Sequence, residues 1–349
     1  MKKALLIGID YIDISGIALR GCINDIINMR NMLIDAYDYE PENIIMLRDD
    51  DVKKFPSPTH DNIYDHIIDL VLDSGNLEEL WLHYSGHGSQ LQVTDCSLNP
   101  QTRGNVADVL VPLDYSSQGF ITDTDLYDMI RRIKCRAILT FDCCHSGTIC
   151  DLPWTIEYEV PPTRNVCRIE GMMVTTRVNN AVIKNPNIFM FSGCKDDQTS
   201  SDTINILDQR MGAFTNALCE CLRKAHHNTS ILSLYKDICI YLLNLDYKQT
   251  PILSTTVESP SYIICKKMPT FRHQYRHISN TKTPVELQRD LEISMLVNSA
   301  DFEEINRGFL SIVSSSSPNP SVSTISNGTL SKLGRHFYRK LNAISPTFH

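Results

Sequence analysis

Two apolar runs in this chain end in residues that can do chemistry together. Ala137-Ile-Leu-Thr-Phe-Asp-Cys-Cys-His-Ser-Gly147 runs into a pair of thiols, and Leu80-Trp-Leu-His-Tyr-Ser-Gly-His-Gly88 runs into a histidine. Both read as short buried strands that stop in small-residue turns. In an open parallel sheet, reacting groups collect beyond the carboxyl ends of strands. A thiol and an imidazole delivered there are a cysteine nucleophile and its base. Side chains alternate along a strand, so Asp142 and Cys144 share one side and Cys143 takes the other. Ser85 and His87 share a side in the same way. Gly86, Gly88 and Gly147 allow close backbone approach, and amides in these turns can face an oxyanion. His145 diverges from its neighbour Cys144. His83, inside its strand, reads as a core histidine with its hydrogen bonds satisfied.

These side chains need a frame, and the rest of the chain supplies one. Ala4–Ile9 and Asn43–Leu47 read as strands. Leu19–Leu33 and Thr59–Leu72 have helical apolar spacing, the latter with Ile63, Ile67, Leu70 and Val71 on one face. Thr122-Asp-Thr-Asp125 is a capping box that opens a helix to about Ile133. Val109–Pro112 is a short apolar run. This alternation predicts an α/β fold with a parallel sheet covered by helices. Leu152–Asn187, with Pro153, Pro161, Pro162 and Pro186, reads as a long surface connection. Order returns with a strand at Asn187–Gly193, helices at Met211–Lys224 and Ile231–Leu243, and a closing strand at Pro260–Cys265. Thr283-Pro-Val-Glu286 caps a helix to about Val297. Ser314–Ser326 is Ser/Pro-rich and reads as disordered. Leu330, Leu333, Phe337, Leu341 and Ile344 recur at helical spacing beside basic residues, a pattern for a packed terminal helix or one that docks on a membrane or partner.

Composition narrows the classes. The chain has 349 residues, 42% hydrophobic and 21% charged, with a net charge of −8, which argues against a general nucleic-acid binder. Twelve cysteines without a CxxC pair read as reduced, mostly buried thiols rather than a disulfide framework or a zinc site. Ala4–Gly8 is too short for a secretory core, and no run of about 20 apolar residues occurs, so a soluble, cytoplasmic protein is expected.

His83-Tyr-Ser-Gly-His-Gly88 together with Asp142-Cys-Cys-His-Ser-Gly147 resembles the metacaspases, caspase-related cysteine peptidases. Gly21-Cys-Ile-Asn-Asp25, Asp108-Val-Leu-Val-Pro-Leu-Asp114 and Ser192-Gly-Cys-Lys-Asp-Asp-Gln-Thr199 extend the resemblance over about Lys2–Lys267. It implies a caspase-like fold, a mostly parallel central sheet flanked by helices in three α/β/α layers. It implies His87 as general base, Cys144 as nucleophile, and the Gly88 and Cys144 amides as oxyanion hole. Cys22, Asp25, Ser85 and Asp142 fall on the pocket that reads the residue before the scissile bond (P1). Two carboxylates there should select protein or peptide substrates with P1 Arg or Lys, not the P1 Asp of caspases, whose Gln-Ala-Cys signature is absent. Asp108, Asp123, Thr124 and Asp151 fall on an activating Ca²⁺ site, with Thr124 where the family often has a fourth acid. The bland reading is that Asp123 and Asp125 serve only the helix N-terminus.

The resemblance also implies an organisation: residues 1–151 as the large (p20-like) catalytic part, 152–186 as a linker, 187–267 as the small (p10-like) part, and 268–349 as an extension. It is a type I arrangement with no Pro-rich prodomain expected before the first strand. The linker's Arg164, Arg168, Arg177 and Lys184 are candidate self-processing sites, and a monomer is expected. Two other readings stand beside an active endopeptidase: a catalytically silent scaffold on the same fold, and a hydrolase of small amides.

Overall fold

The computed structural model describes residues 1–92, 106–144, 147, 149–160, 171–193, 202–204 and 209–265. In chain order the elements are β1 (Lys2–Gly8), α1 (Cys22–Tyr37), β2 (Ile44–Arg48), α2 (His60–Asp73), β3 (Glu79–Ser85), β4 (Gly88–Gln92), β5 (Val106–Leu110), α3 (Tyr115–Gln118), β6 (Ile121–Thr122), α4 (Asp123–Ile130) and β7 (Arg136–Asp142). There follow β8 (Trp154–Glu159), β9 (Met172–Arg177), β10 (Ile188–Ser192), β11 (Asp202–Ile204), β12 (Arg210–Gly212), α5 (Ala213–Lys224), β13 (Asn228–Ser230), α6 (Ile231–Asn244), β14 (Ile252–Thr255) and β15 (Ile263–Cys265). The expected helices within 283–297 and 330–344, the stretch 314–326, His145 and most of the Ser192–Thr199 block lie outside the described residues.

Eight strands form the central sheet in the order β2-β1-β3-β7-β10-β14-β8-β9. The first five run parallel, and β14, β8 and β9 continue antiparallel. The parallel strands read as unbroken apolar runs because both of their faces are buried. Their alternate side chains divide between two cores. Ala4, Leu6, Trp81, Ile138, Phe189 and Phe191 face one core with residues of α1, α5 and α6. Leu5, Ile7, Leu80, Leu82, Tyr84, Leu139, Phe141 and Cys143 face the other with residues of α2 and α4. The fold is therefore the expected three-layer α/β/α arrangement.

The helices start where the sequence signals place them. Thr59 accepts a hydrogen bond from the Asn62 amide at the start of α2, and Thr122 and Asp125 form the reciprocal capping box of α4. The linker departs from expectation. Its β8 and β9 are strands of the central sheet, packed edge to edge beyond β14, rather than a surface connection. The expected closing strand, β15, pairs with β13 in a small separate ribbon, and β14 takes its place in the sheet.

At the amino-terminal ends of the strands, Glu79 ties distant segments of the chain together. This buried carboxylate accepts hydrogen bonds from Tyr39 Oη (3.0 Å), Tyr262 Oη (2.8 Å) and Arg136 Nη1 (3.0 Å), with Lys2 Nζ at 3.4 Å. Burial pushes its ionisation up, but the Lys2 charge and the three donors outweigh that and hold it below the usual carboxylate range. All the described cysteines are free thiols, most of them buried.

His83 is a core histidine, as expected, but only half satisfied. Its Nδ1 lies 2.9 Å from Thr140 Oγ1, while Nε2 has no hydrogen-bond partner among the described residues. Burial lowers its pKa from 6.5 to about 3. The folded state keeps this imidazole neutral while the unfolded chain takes up a proton, so the unfolded state binds more protons in that window. Stability is therefore lost as pH falls from 6.5 toward 3, by about 4 kcal/mol at the acid end. His83→Phe will flatten the fall in denaturation midpoint across that window relative to wild type. Parallel slopes for the two proteins would contradict this assignment.

Candidate active site

The site follows from strand register. β3 and β7 are adjacent and parallel, with Ser85 opposite Asp142. His87 and Cys144 thus each lie two residues past a matched pair, at the carboxyl edge of the sheet. The Gly86 amide donates to the Asp142 carbonyl (3.4 Å), which holds the two turns together. Parity acts as expected. Cys143 is fully buried with Phe141 in the α2/α4 core, while Cys144 is half-buried. His87 is also half-buried. A side chain at Gly88 would overlap the Cys144 carbonyl oxygen and crowd Cys143 Sγ, so only glycine lets these turns meet.

The imidazole is oriented by a main-chain carbonyl. His87 Nε2 donates to Ile17 O over 2.7 Å. A carbonyl can only accept, so Nε2 carries the hydrogen and Nδ1 is left as the basic nitrogen. This partner was invisible in the sequence, since every residue has a carbonyl and nothing in Ile17 announces the role.

The four expected P1-pocket residues converge on the α1/α5 side of the sheet. Cys22 and Asp25 lie in the first turn of α1, and Ser85 and Asp142 end β3 and β7. All four are buried. Ser85 Oγ donates to Asp25 Oδ2 over 2.6 Å, and the Gly212 amide donates to the same carboxylate. Thr215 donates to Asp142 Oδ2 through both its amide (2.8 Å) and its hydroxyl (2.7 Å). A Cβ on Gly212 would overlap Asp142 Oδ2 and lie 3.0 Å from Asp25 Oδ2, so the two acids converge on one glycine. Burial, then repulsion from Asp142, pushes the Asp25 ionisation well up. Burial and the neighbouring Asp25 push the Cys22 thiol up too. Two carboxylates buried this close oppose each other's ionisation, and a nearby positive charge favours the charged form of both. Gly212 and Thr215, at the start of α5, were missed in the sequence. A glycine immediately before an apolar helix was the available signal.

Residues 2–153 match the model of the metacaspase, peptidase C14 domain. The chain is 34% identical to Metacaspase-1 of Kluyveromyces lactis over 74% of its own length and 66% of that protein's. It is 33% identical to Metacaspase-1 of Candida glabrata over 73% of its own length and 72% of the relative's. The chain belongs to the metacaspase family. It is thereby a cysteine-type peptidase, a hydrolase acting on protein substrates. Among these relatives the alignment spans about two thirds to just under three quarters of their length. Among solved structures, caspase-1 from Spodoptera frugiperda aligns over 76% of this chain and 92% of its own, with a TM-score of 0.49 and 15% identity.

The expected calcium residues are only partly assembled. Asp108 and Asp123 are buried, and the Asp108 amide donates to Asp123 Oδ2 (3.1 Å). Asp123 Oδ1 accepts from the Thr124 amide (2.6 Å), and Asp108 Oδ1 accepts from Gln90 Nε2 (2.9 Å). Burial, then the charges of Asp151 and Asp123, raise the Cys150 thiol. The donors are all hard oxygens, as calcium requires. Among the described residues, however, no three His, Cys, Asp or Glu side chains are grouped to hold a metal. Here Asp123 serves the backbone at the start of α4. No helix among the described residues is long and apolar enough to cross a membrane.

Proposed function

We propose that this metacaspase is an active endopeptidase that cleaves after Arg or Lys with a Cys144–His87 dyad. The carrying observation is the buried pair Asp25 and Asp142, with Asp142 two residues before the nucleophile on the same strand face. In this reading Nδ1 of His87 takes the Cys144 proton, and the thiolate attacks the scissile carbonyl carbon. The oxyanion forms against the Gly88 and Cys144 amides. Its collapse breaks the C–N bond, and the imidazolium gives its proton to the leaving amine. Water, deprotonated by His87, then releases the acid product and the free thiol. The pocket geometry favours this over a silent scaffold, because a scaffold has no use for two buried acids that converge on one glycine.

The proposal extends to three finer points. Calcium stimulation is supported by the hard-oxygen chemistry of Asp108, Asp123, Thr124 and Asp151, of which the buried Asp108 and Asp123 are joined through the Asp108 amide. Self-processing is supported by Lys184, which is exposed, whereas Arg177 ends a paired strand. Arg164 and Arg168 lie outside the described residues. A monomer is supported by β8 and β9, which extend the sheet beyond β14.

Paired fluorogenic peptides ending in Arg, Lys or Asp, assayed with and without calcium, test the reading against Cys144→Ala. Arg and Lys substrates will turn over and Asp will not. Preference for Asp would overturn the pocket assignment. Undiminished turnover in excess chelator would remove calcium alone. Mass spectrometry will find cleavage after Lys184, Arg164 or Arg168 in wild type only.

A further inference from the structure

His87 sits in a bend past the end of β3, where no strand ladder holds it, yet a base must be placed to within a fraction of an ångström. Its main chain is gripped by two buried phenols. The His87 amide donates to Tyr11 Oη over 3.0 Å, and Tyr84 Oη donates to the His87 carbonyl over 2.8 Å. The phenols lie 3.3 Å apart, and Tyr11 Oη donates in turn to Val111 O (2.6 Å). The Val111 amide returns to the His87 carbonyl (3.2 Å). The Tyr11 ring also packs on the imidazole, with centroids 4.8 Å apart. Burial pushes the ionisation of both phenols up, so they remain neutral hydroxyls.

Tyr11 reaches this position only through strain. Its φ is 51°, a left-handed conformation that bulky side chains rarely adopt. The turn is held by the buried Asp49, just past β2, two strands away from the base. Asp49 Oδ1 accepts from the Asp10 amide (3.0 Å) and Oδ2 from the Ile12 amide (3.3 Å), clamping both sides of Tyr11. The same loop carries Ile17, whose carbonyl orients the imidazole. One strained loop thus sets both the height and the rotation of the base.

We propose that Tyr11 is a positioning residue for His87, with Tyr84 as its partner, and that Asp49 acts through it from the far side of β1. This rests on His87 being the base. The experiment compares wild type with Tyr11→Phe, Asp49→Asn, His87→Ala and Tyr39→Phe. Tyr39 is equally buried and its hydroxyl bonds to Glu79, far along the sheet from His87. The readouts are kcat and KM on an Arg-ended peptide, and the pH profile of iodoacetamide alkylation at Cys144, followed by peptide mass spectrometry. Tyr11→Phe and Asp49→Asn will each lower kcat about 10- to 100-fold with KM within about twofold. They will also shift the inflection of the alkylation profile, which a purely structural lesion leaves in place. Tyr39→Phe will change neither. A folded Tyr11→Phe enzyme with wild-type kcat overturns the inference. So does unfolding of both Tyr11→Phe and Asp49→Asn while Tyr39→Phe folds, since the network is then structural. Full activity in His87→Ala would instead overturn the dyad reading itself.

Discussion

Cys144→Ala will abolish peptide hydrolysis, and Cys143→Ala will leave most of it. The two thiols are adjacent in sequence, so the contrast isolates position from chemistry. Cys143 continues the face of Leu139 and Phe141 and is sealed in the core against α2 and α4. Its sulfur has no path to a substrate. Cys144 continues the face of Asp142 and is half-buried at the edge of the sheet. Loss of the nucleophile costs about 10⁴-fold or more in kcat, because the remaining site has nothing to form the acyl intermediate. Loss of the Cys143 sulfur leaves a small cavity costing about 1–2 kcal/mol, read as a lower denaturation midpoint with kcat within a few-fold. If Cys143→Ala is the inactive variant, the strand parity is wrong and the oxyanion assignment falls with it.

Asp25→Asn will weaken catalysis and strengthen the fold. A P1 guanidinium or ammonium entering the pocket loses one of two buried partners. A truncated buried charge pair of this kind costs about 2–4 kcal/mol, or ~30- to 1,000-fold in kcat/KM for Arg and Lys substrates. The free enzyme gains, because Asp142 no longer faces a second buried carboxylate. The amide oxygen still accepts from Ser85 and Gly212, which is why Asn is the chosen replacement. The pH dependence carries the same signature. Burial and then Asp142 raise the Asp25 ionisation above its ordinary 3.8. The native state therefore binds more protons than the unfolded chain between those two values, and its stability contribution improves as pH falls through the raised value. Pocket charge is lost over the same range, so KM for Arg substrates rises on the acid side earlier than an exposed aspartate would dictate. This is opposite in sign to His83, which costs stability as pH falls. Asp25→Asn will move the acid limb of kcat/KM to lower pH and raise the melting temperature. A variant less stable than wild type, with unchanged kcat/KM, would remove Asp25 from the pocket.

Much of this was legible in local pattern. The apolar runs at Ala4, Leu80 and Ala137 are strands because parallel strands buried on both faces must be apolar throughout. Period-two alternation then separates Cys144 from Cys143 and pairs it with Asp142, since side-chain direction in a strand depends only on parity. The capping box at Thr122–Asp125 is equally local. The linker strands were not legible. β9 is exposed along most of its length and shows no apolar alternation, so nothing in Met172–Arg177 distinguishes an edge strand from a surface loop.

The chemistry of the two strand ends was therefore written in neighbouring residues, where backbone periodicity decides it. What surrounds them came only with the tertiary structure. Gly212 meets Asp25 across 187 positions, and Thr215 meets Asp142 across 73. The Ile17 carbonyl and the Tyr11 phenol reach His87 across 70 and 76. Such contacts depend on where the sheet order brings distant segments, and several are made by main-chain groups that every residue carries. No residue type marks them, so only the packed chain reveals them.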